Sequence, residues 1–316
     1  MKRFIIKLSK LLIVLLIIIM FLAFFLEAVI EKNTESKQLL SHDNWNSNIN
    51  KNYDMLFIGN SRVWVQIDAE LISNKTNFKV YNLTQDGRGA NILWYKYKQY
   101  LKTNTDPKEI FLQFDSKFIS DIYSKSFYGK ENYLTYVYHN PLQLNNLFKD
   151  EFGFNDFETY IPLIRYYHNQ EILYAHITGI QNYDSVDRKT YKYNYAPMNY
   201  TWNANKTWNA IWDKPLIYNY NSKNINYIDS FRIYCQTNNI KLHLFHPPQS
   251  WTSYNKRLKN NTEVLQNYAS KYNVDFHDFN NIIYNDSTLF YNHTHLNYNG
   301  SQIFTNQIIE HYFNKK

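Results

Sequence analysis

Asp54-Met55-Leu56-Phe57-Ile58-Gly59-Asn60-Ser61-Arg62 is the stretch on which the fold turns. Its four consecutive apolar residues, Met55, Leu56, Phe57 and Ile58, read as a short strand buried on both faces. Gly59-Asn60-Ser61 breaks that run, and a helix-compatible alternation over 65–72 follows. Ligands of an open parallel sheet sit just beyond the carboxyl ends of its strands, so Ser61 stands where a cleft would be. Taken alone, the stretch also reads as a strand-ending turn whose serine caps the next helix.

The same strand-then-helix alternation recurs on both sides of a long irregular middle. Strands are expected over 78–83, 110–114, 241–245 and 274–278, and helices over 66–74, 91–102, 225–237, 255–272 and 299–313. Alternation of this kind predicts an α/β fold with a doubly wound parallel sheet and helices on both faces. Between 117 and 224 the periodicity is poor. Short helices fit 142–149 and 160–173, and 191–220 is dense in Trp and Tyr. A structureless loop of that length is foreign to a compact domain, so 117–224 is expected to be an insertion forming a lid or side subdomain over the carboxyl edge of the sheet.

The first thirty residues have another character. Lys2, Arg3, Lys7 and Lys10 precede an apolar run over 11–30 that is interrupted only by Glu27. The run is long enough to span a bilayer, and its basic flank predicts a cytoplasmic N-terminus. A cleaved signal peptide is the alternative, but the run is long for one and no small-residue cleavage site follows. The expected organisation is therefore a signal anchor over 1–30, a polar tether over 31–52 and an extracytoplasmic domain over 53–316. The formal charge of +7 is scattered rather than gathered into a patch, which argues against a nucleic-acid partner. The 30 Tyr, 21 Phe and 7 Trp suit flat contacts to sugars, although a biased codon composition also favours Tyr, Asn and Lys. The single cysteine, Cys235, has no internal disulfide partner and reads as a buried small apolar residue.

A second motif lies near the far end: Asn292-His293-Thr294-His295-Leu296-Asn297-Tyr298-Asn299-Gly300, leading into the last helix. With Gly59-Asn60-Ser61 it resembles the SGNH (GDSL-like) hydrolase superfamily. That family has Gly-Asp/Asn-Ser after its first strand and Asp-x-x-His-Leu-Asn-x-x-Gly before its final helix. The resemblance covers most of the chain after residue 53, apart from the middle, and departs from the pattern at Asn292, where the family has aspartate. It implies Ser61 as nucleophile and His295 as base, because a serine hydroxyl needs a neighbouring base to take its proton. Asn292 would then orient the histidine without supplying charge. The resemblance also implies an oxyanion site formed by the Ser61 and Gly87 N–H groups. The family's third donor, an Asn after the third strand, is missing: Gln113-Phe114-Asp115 stands there. Gln113 could donate an amide, whereas an ionised Asp115 would oppose the oxyanion.

Three further side chains are candidates for the same edge. Arg62 would meet either an anionic substrate group or an acidic neighbour. His246, ahead of Pro247-Pro248, would line the cleft or only end a strand. Asp286 is a nearby carboxylate that would substitute for the missing aspartate. A metal pair, His293 with His295 and either Asp278 or Asp286, lacks a third ligand at a recognisable spacing. Serine chemistry of the implied kind calls for no metal or cofactor.

The resulting expectation is a membrane-anchored serine esterase or O-acyltransferase acting on acyl, above all acetyl, esters of cell-envelope polysaccharide. A membrane-bound O-acyltransferase partner is implied by resemblance alone. The rival is a non-catalytic glycan-binding or scaffold protein on the same fold, favoured by Asn292.

Overall fold

The computed structural model describes residues 2–36, 50–84, 87–116, 118–119, 155–161, 163–167, 170–178, 194–202, 222–250, 262–281, 283 and 285–313. The chain forms two compact units, Met1–Asn44 with Tyr128–Asp187, and Trp45–Phe127 with Arg188–Lys316.

In the first unit, α1 (Lys2–Ser36) is a single 35-residue helix. Its portion Lys2–Leu26 has a mean hydropathy of 2.9, and is long and apolar enough to cross a membrane. Among the described residues of this unit, two short helices follow, α5 (Asp156–Tyr160) and α6 (Gln170–Thr178). They replace the single helix expected over 160–173. Ile161 precedes Pro162 and is extended, with φ −97° and ψ 120°, as a residue before proline must tend to be. Leu163 then adopts φ 63° before a 3₁₀ turn at Ile164–Tyr166. The expected helix over 142–149 lies outside the described residues.

The second unit is built on five parallel strands: β1 (Met55–Gly59), β2 (Val80–Thr84), β3 (Glu109–Gln113), β4 (Lys241–His246) and β5 (Asp275–Asp278). Their spatial order is β2-β1-β3-β4-β5. Every pairing is parallel, with Met55 beside Val80 on one side and Glu109 on the other. The chain therefore leaves β1 toward β2 and returns to its other side for β3. A crevice opens at such a reversal, at the carboxyl end of β1.

Alternation along the strands divides the core in two. Leu56, Ile58, Ile110, Leu112 and Leu244 point to one face, where they meet Leu93 and Tyr97 of α4 (Ala90–Tyr100), Ile228 and Phe231 of α7 (Ser222–Thr237) and Leu265 of α8 (Thr262–Tyr272). Met55, Phe57, Val80, Phe111 and Phe245 point to the other. There they meet Ile72 of α3 (Ala69–Thr76) and Phe304, Ile308 and Ile309 of α9 (Tyr298–Tyr312). Helices on both faces of a parallel sheet make this an α/β sandwich. Cys235 is buried inside the first face, where burial pushes its thiol up to about 12.

Three local departures from the expected elements matter to the site. The helix expected over 66–74 is two helices, α2 (Ser61–Gln66) and α3, because Asp68 leaves the helical region and caps α3 through the Leu71 N–H. The segment 255–272 is described only from Thr262, as α8. An unforeseen two-stranded antiparallel ladder, β6 (Phe290–Asn292) with β7 (His295–Leu296), precedes the last helix and brings Asn292 opposite His295.

Candidate active site

Gly59 makes the turn after β1 sterically possible. A Cβ there would lie 2.2 Å from Cγ2 of Val63 and 2.5 Å from Oε1 of Gln113, so no other residue fits. The chain then enters α2, whose N-terminal N–H groups need acceptors. Asn60 supplies most of them. Its side chain accepts from Arg62 N at 3.1 Å, its carbonyl accepts from Val63 N and Trp64 N, and its own N–H goes to Gln113 Oε1 at 3.0 Å. Asn60, not Ser61, is therefore the helix cap. The Ser61 hydroxyl is left for other use, and the Ser61 N–H has no acceptor among the described residues.

The opposite wall is the β6–β7 hairpin. Asn292 Oδ1 accepts from the backbone N–H of Thr294 and of His295, both at 2.9 Å. Only an oxygen can accept from two N–H groups, so the amide orientation is determined. That same oxygen lies 3.1 Å from His295 Nδ1, with Thr294 Oγ1 also 3.1 Å away. The ring therefore carries its proton on Nδ1, and the Nε2 lone pair points to Ser61 Oγ at 2.9 Å.

Both carbonyls of the hairpin turn are held. Gln66 Nε2 of α2 donates to Thr294 O at 2.9 Å, and Ser250 donates to His293 O from its N–H and its hydroxyl. Behind the hairpin, Asn297 caps α9 through Gly300 N and donates to Thr288 O at 2.7 Å. Gly300 passes so close that a Cβ would lie 2.2 Å from Leu289 O. The His-Leu-Asn-x-x-Gly pattern is thus a device for seating the last helix against the strand that carries Asn292.

The remaining candidates are placed differently. Arg62 is buried and bonds Asp115 Oδ2 at 2.8 Å, with Pro247 O and Pro248 O taking its other end. The acidic-neighbour alternative is the one the structure shows. Burial alone would push the Asp115 carboxyl up; the Arg62 charge, with bonds from Gln113 and the Phe118 N–H, brings it below its usual value. Asp115 is therefore an ionised partner within a neutralised pair. Gln113 links Asn60 to Asp115, accepting from Asn60 N and donating to Asp115 Oδ2 at 2.5 Å. Its amide oxygen and one amide N–H thus brace the serine turn. His246 is buried and hydrogen-bonded to Asn280 at 2.7 Å and Gln249 at 2.9 Å. Burial, opposed only in part by Asp278 and Asp115 and reinforced by the Arg62 charge, lowers its pKa to about 4 and keeps it neutral. It ends its strand inside the protein instead of lining an open cleft.

Gly87 sits three residues beyond the end of β2, the strand beside β1, with φ 62°, a conformation suited to glycine. Asp286 is engaged elsewhere, capping the turn Ser287–Leu289 through Thr288 N and Thr288 Oγ1. Asp278 bonds Asn280. The two carboxylates of the metal alternative, Asp278 and Asp286, thus have separate partners.

Of the expected insertion, residues 194–202 border this region. Ala196 N bonds Trp64 O, Tyr298 N bonds Met198 O, and Trp202 N bonds Phe290 O, which straps α2, α9 and β6 together. Trp64, Val65 and Ala196 form a small buried cluster with Met198 and Tyr291 against it. Tyr291 stacks on His295, with ring centroids 5.3 Å apart and planes at 25°. Neither the strap nor Tyr291 was evident beforehand. The only signal was an aromatic next to Asn292, in a chain where aromatics are everywhere.

No protein-family model matches the chain, and no curated protein matches it. Among solved structures, it is similar to a Bacteroides fragilis protein described provisionally as an acylhydrolase, at 10% identity and a TM-score of 0.40 over 86% of this chain and 91% of that one. It is also similar to a Streptococcus pneumoniae protein described provisionally as platelet activating factor, at 13% identity and a TM-score of 0.41 over 93% and 98%. Likeness at this level carries nothing about activity, and the chemistry below rests on the chain's own geometry.

Proposed function

We propose that the chain is a serine ester hydrolase or O-acyltransferase of SGNH type, held to the membrane by α1 with its α/β unit outside the cytoplasm. One observation carries the proposal: the 2.9 Å approach of His295 Nε2 to Ser61 Oγ, with the ring tautomer set by Asn292. Ser61 Oγ attacks the ester carbonyl as its proton passes to His295 Nε2. The oxyanion is received by the Ser61 and Gly87 N–H groups. When the tetrahedral adduct collapses, His295 returns the proton to the departing alkoxide and an acyl-serine remains. Water, or a sugar hydroxyl, then gives a proton to His295 and attacks the acyl carbon; the acyl–Oγ bond breaks and His295 passes the proton to Ser61 Oγ. Esterase and transferase differ only in that second acceptor.

The substrate class proposed is an acyl ester, acetyl above all, on a cell-envelope polysaccharide, with a membrane-bound O-acyltransferase as the supplying partner in the transferase case. The aromatic character of the chain supports a sugar ligand, and the apolar length of α1 supports an anchor. The deciding experiment is reaction of the full-length protein with a fluorophosphonate probe. Labelling confined to Ser61 supports the enzyme. Failure of the folded protein to label favours the rival binding role, for which Asn292 in place of a carboxylate is the supporting observation.

A further inference from the structure

The imidazolium formed on His295 during acyl transfer needs a stabilising neighbour, and its Nδ1 partner, Asn292, is neutral. Among the groups against the ring are also Ser61 Oγ from α2, Thr294 Oγ1 from the hairpin and Tyr291 from β6. The nearest guanidinium in sequence, that of Arg62, is paired with Asp115. Tyr291 is seated by more than this contact, since it also packs against the Trp64, Val65 and Ala196 cluster. Its ring is thus held stacked on the imidazole, the planes 25° apart and the centroids at 5.3 Å, within the range where an aromatic face attracts a cation.

We infer that Tyr291 is a positioning residue for the catalytic base, its ring face holding the His295 imidazole in line with Ser61 and stabilising the imidazolium where a carboxylate would otherwise do so. This rests on the Ser61–His295 reading above. The attraction grows as the ring gains charge and is weak to the neutral form, so it acts mainly in the transition state. It requires only an electron-rich ring; the phenol hydroxyl takes no part.

The test uses the full-length chain in detergent micelles with carbon-13-labelled histidine, the His295 resonance being assigned by its loss in His295→Gln. Its titration midpoint is followed in wild type, Tyr291→Phe, Tyr291→Leu and a chain carrying tetrafluorophenylalanine at 291. The fluorinated ring keeps the shape but drains the face, so it remains informative if the leucine variant does not fold. The expected result is an unchanged midpoint for Tyr291→Phe and a fall of about half a unit for the leucine and fluorinated forms. On an aryl acetate, the same two variants should lose about two- to fivefold in kcat with KM unchanged. Equal midpoints in all four proteins would overturn the inference and leave the Ser–His reading standing. Absence of probe labelling in wild type, by contrast, would remove that reading whatever the midpoints show.

Discussion

His295 Nε2 lies 2.9 Å from Ser61 Oγ although 234 positions of chain separate the two residues. The approach follows from topology. β1 delivers Ser61 at its carboxyl end, and Gln66, five residues on, reaches the carbonyl of Thr294 to fix the hairpin beside it. Ser61 contributes no cap to α2, since Asn60 does, and it is only partly buried. Ser61→Ala should therefore remove ester turnover and probe labelling while leaving the melting temperature within about 2 °C. Equal turnover by the alanine form would exclude Ser61 as nucleophile.

Arg62 adjoins the nucleophile but belongs to the scaffold. Its guanidinium neutralises Asp115 and takes the carbonyls of Pro247 and Pro248. Arg62→Ala strands a buried carboxylate and should cost roughly 3–5 kcal/mol of stability, measured by urea denaturation. Replacing both partners, as Arg62→Met with Asp115→Leu, should cost less than the single change. A single variant of native stability with a raised KM would instead assign Arg62 to the substrate.

Toward the amino ends of β3, β4 and β5, His243 bridges two carboxylates, Asp275 through Nδ1 at 2.6 Å and Glu109 through Nε2 at 2.8 Å. Both partners accept, so the ring carries both protons. Burial opposes that charge, but the bonds to Asp275 and Glu109 prevail and the His243 pKa is raised. Those to Glu109 and Asp275 are lowered, chiefly by the bond from His243. The histidine contribution is full below its unfolded pKa of about 6.5 and is lost as pH rises through the higher folded value. The carboxylate contributions are full above about 4 and are lost on acidification. Stability should thus peak between about pH 5 and 6.5 and decline as pH rises through the raised His243 value. His243→Leu should lower it by about 1–2 kcal/mol near pH 6, Asp275 being half exposed to solvent, and should flatten the alkaline decline. An alkaline decline as steep in the variant as in wild type would assign it to other groups.

The sheet was legible because its strands are short apolar runs ended by Gly59, by Thr84 or by a polar pair such as Asp115-Ser116, and each carboxyl end was placed within about two residues. The Ser–His approach was legible only through the two motifs, since nothing in the spacing of Ser61 and His295 sets their distance. What escaped was tertiary. Gln113 looked like a donor because its sequence position suits one, but the N–H of Asn60 and the carboxylate of Asp115 claim its amide oxygen and one amide N–H. Asp115 looked like an obstacle because Arg62, 53 positions away, was not visible as its counter-ion. The hairpin escaped because two- and three-residue strands carry no period to read. The helix expected over 160–173 contains Pro162, and Ile161 before it is extended.

Asn292→Asp addresses the departure at the base. In a serine protease the Asp→Asn exchange costs roughly four orders of magnitude, largely because the histidine takes the wrong tautomer. Here the amide oxygen is locked toward Nδ1 by the N–H groups of Thr294 and His295, so the tautomer is already correct. An aspartate would keep those bonds and add only charge. A hydrogen bond to a charged group is worth about 1.5–3 kcal/mol against about 1 for a neutral one, so kcat should rise roughly tenfold rather than ten-thousandfold. KM should stay the same, because the charge matters chiefly once the imidazolium forms. The acid limb of the pH–rate profile should move upward, since a carboxylate at Nδ1 favours the protonated ring. A flat rate on an aryl acetate would mean that another group already supplies the charge. A ten-thousandfold rise would mean that the wild-type tautomer is wrong and that Asn292 does not hold the ring as its oxygen position requires.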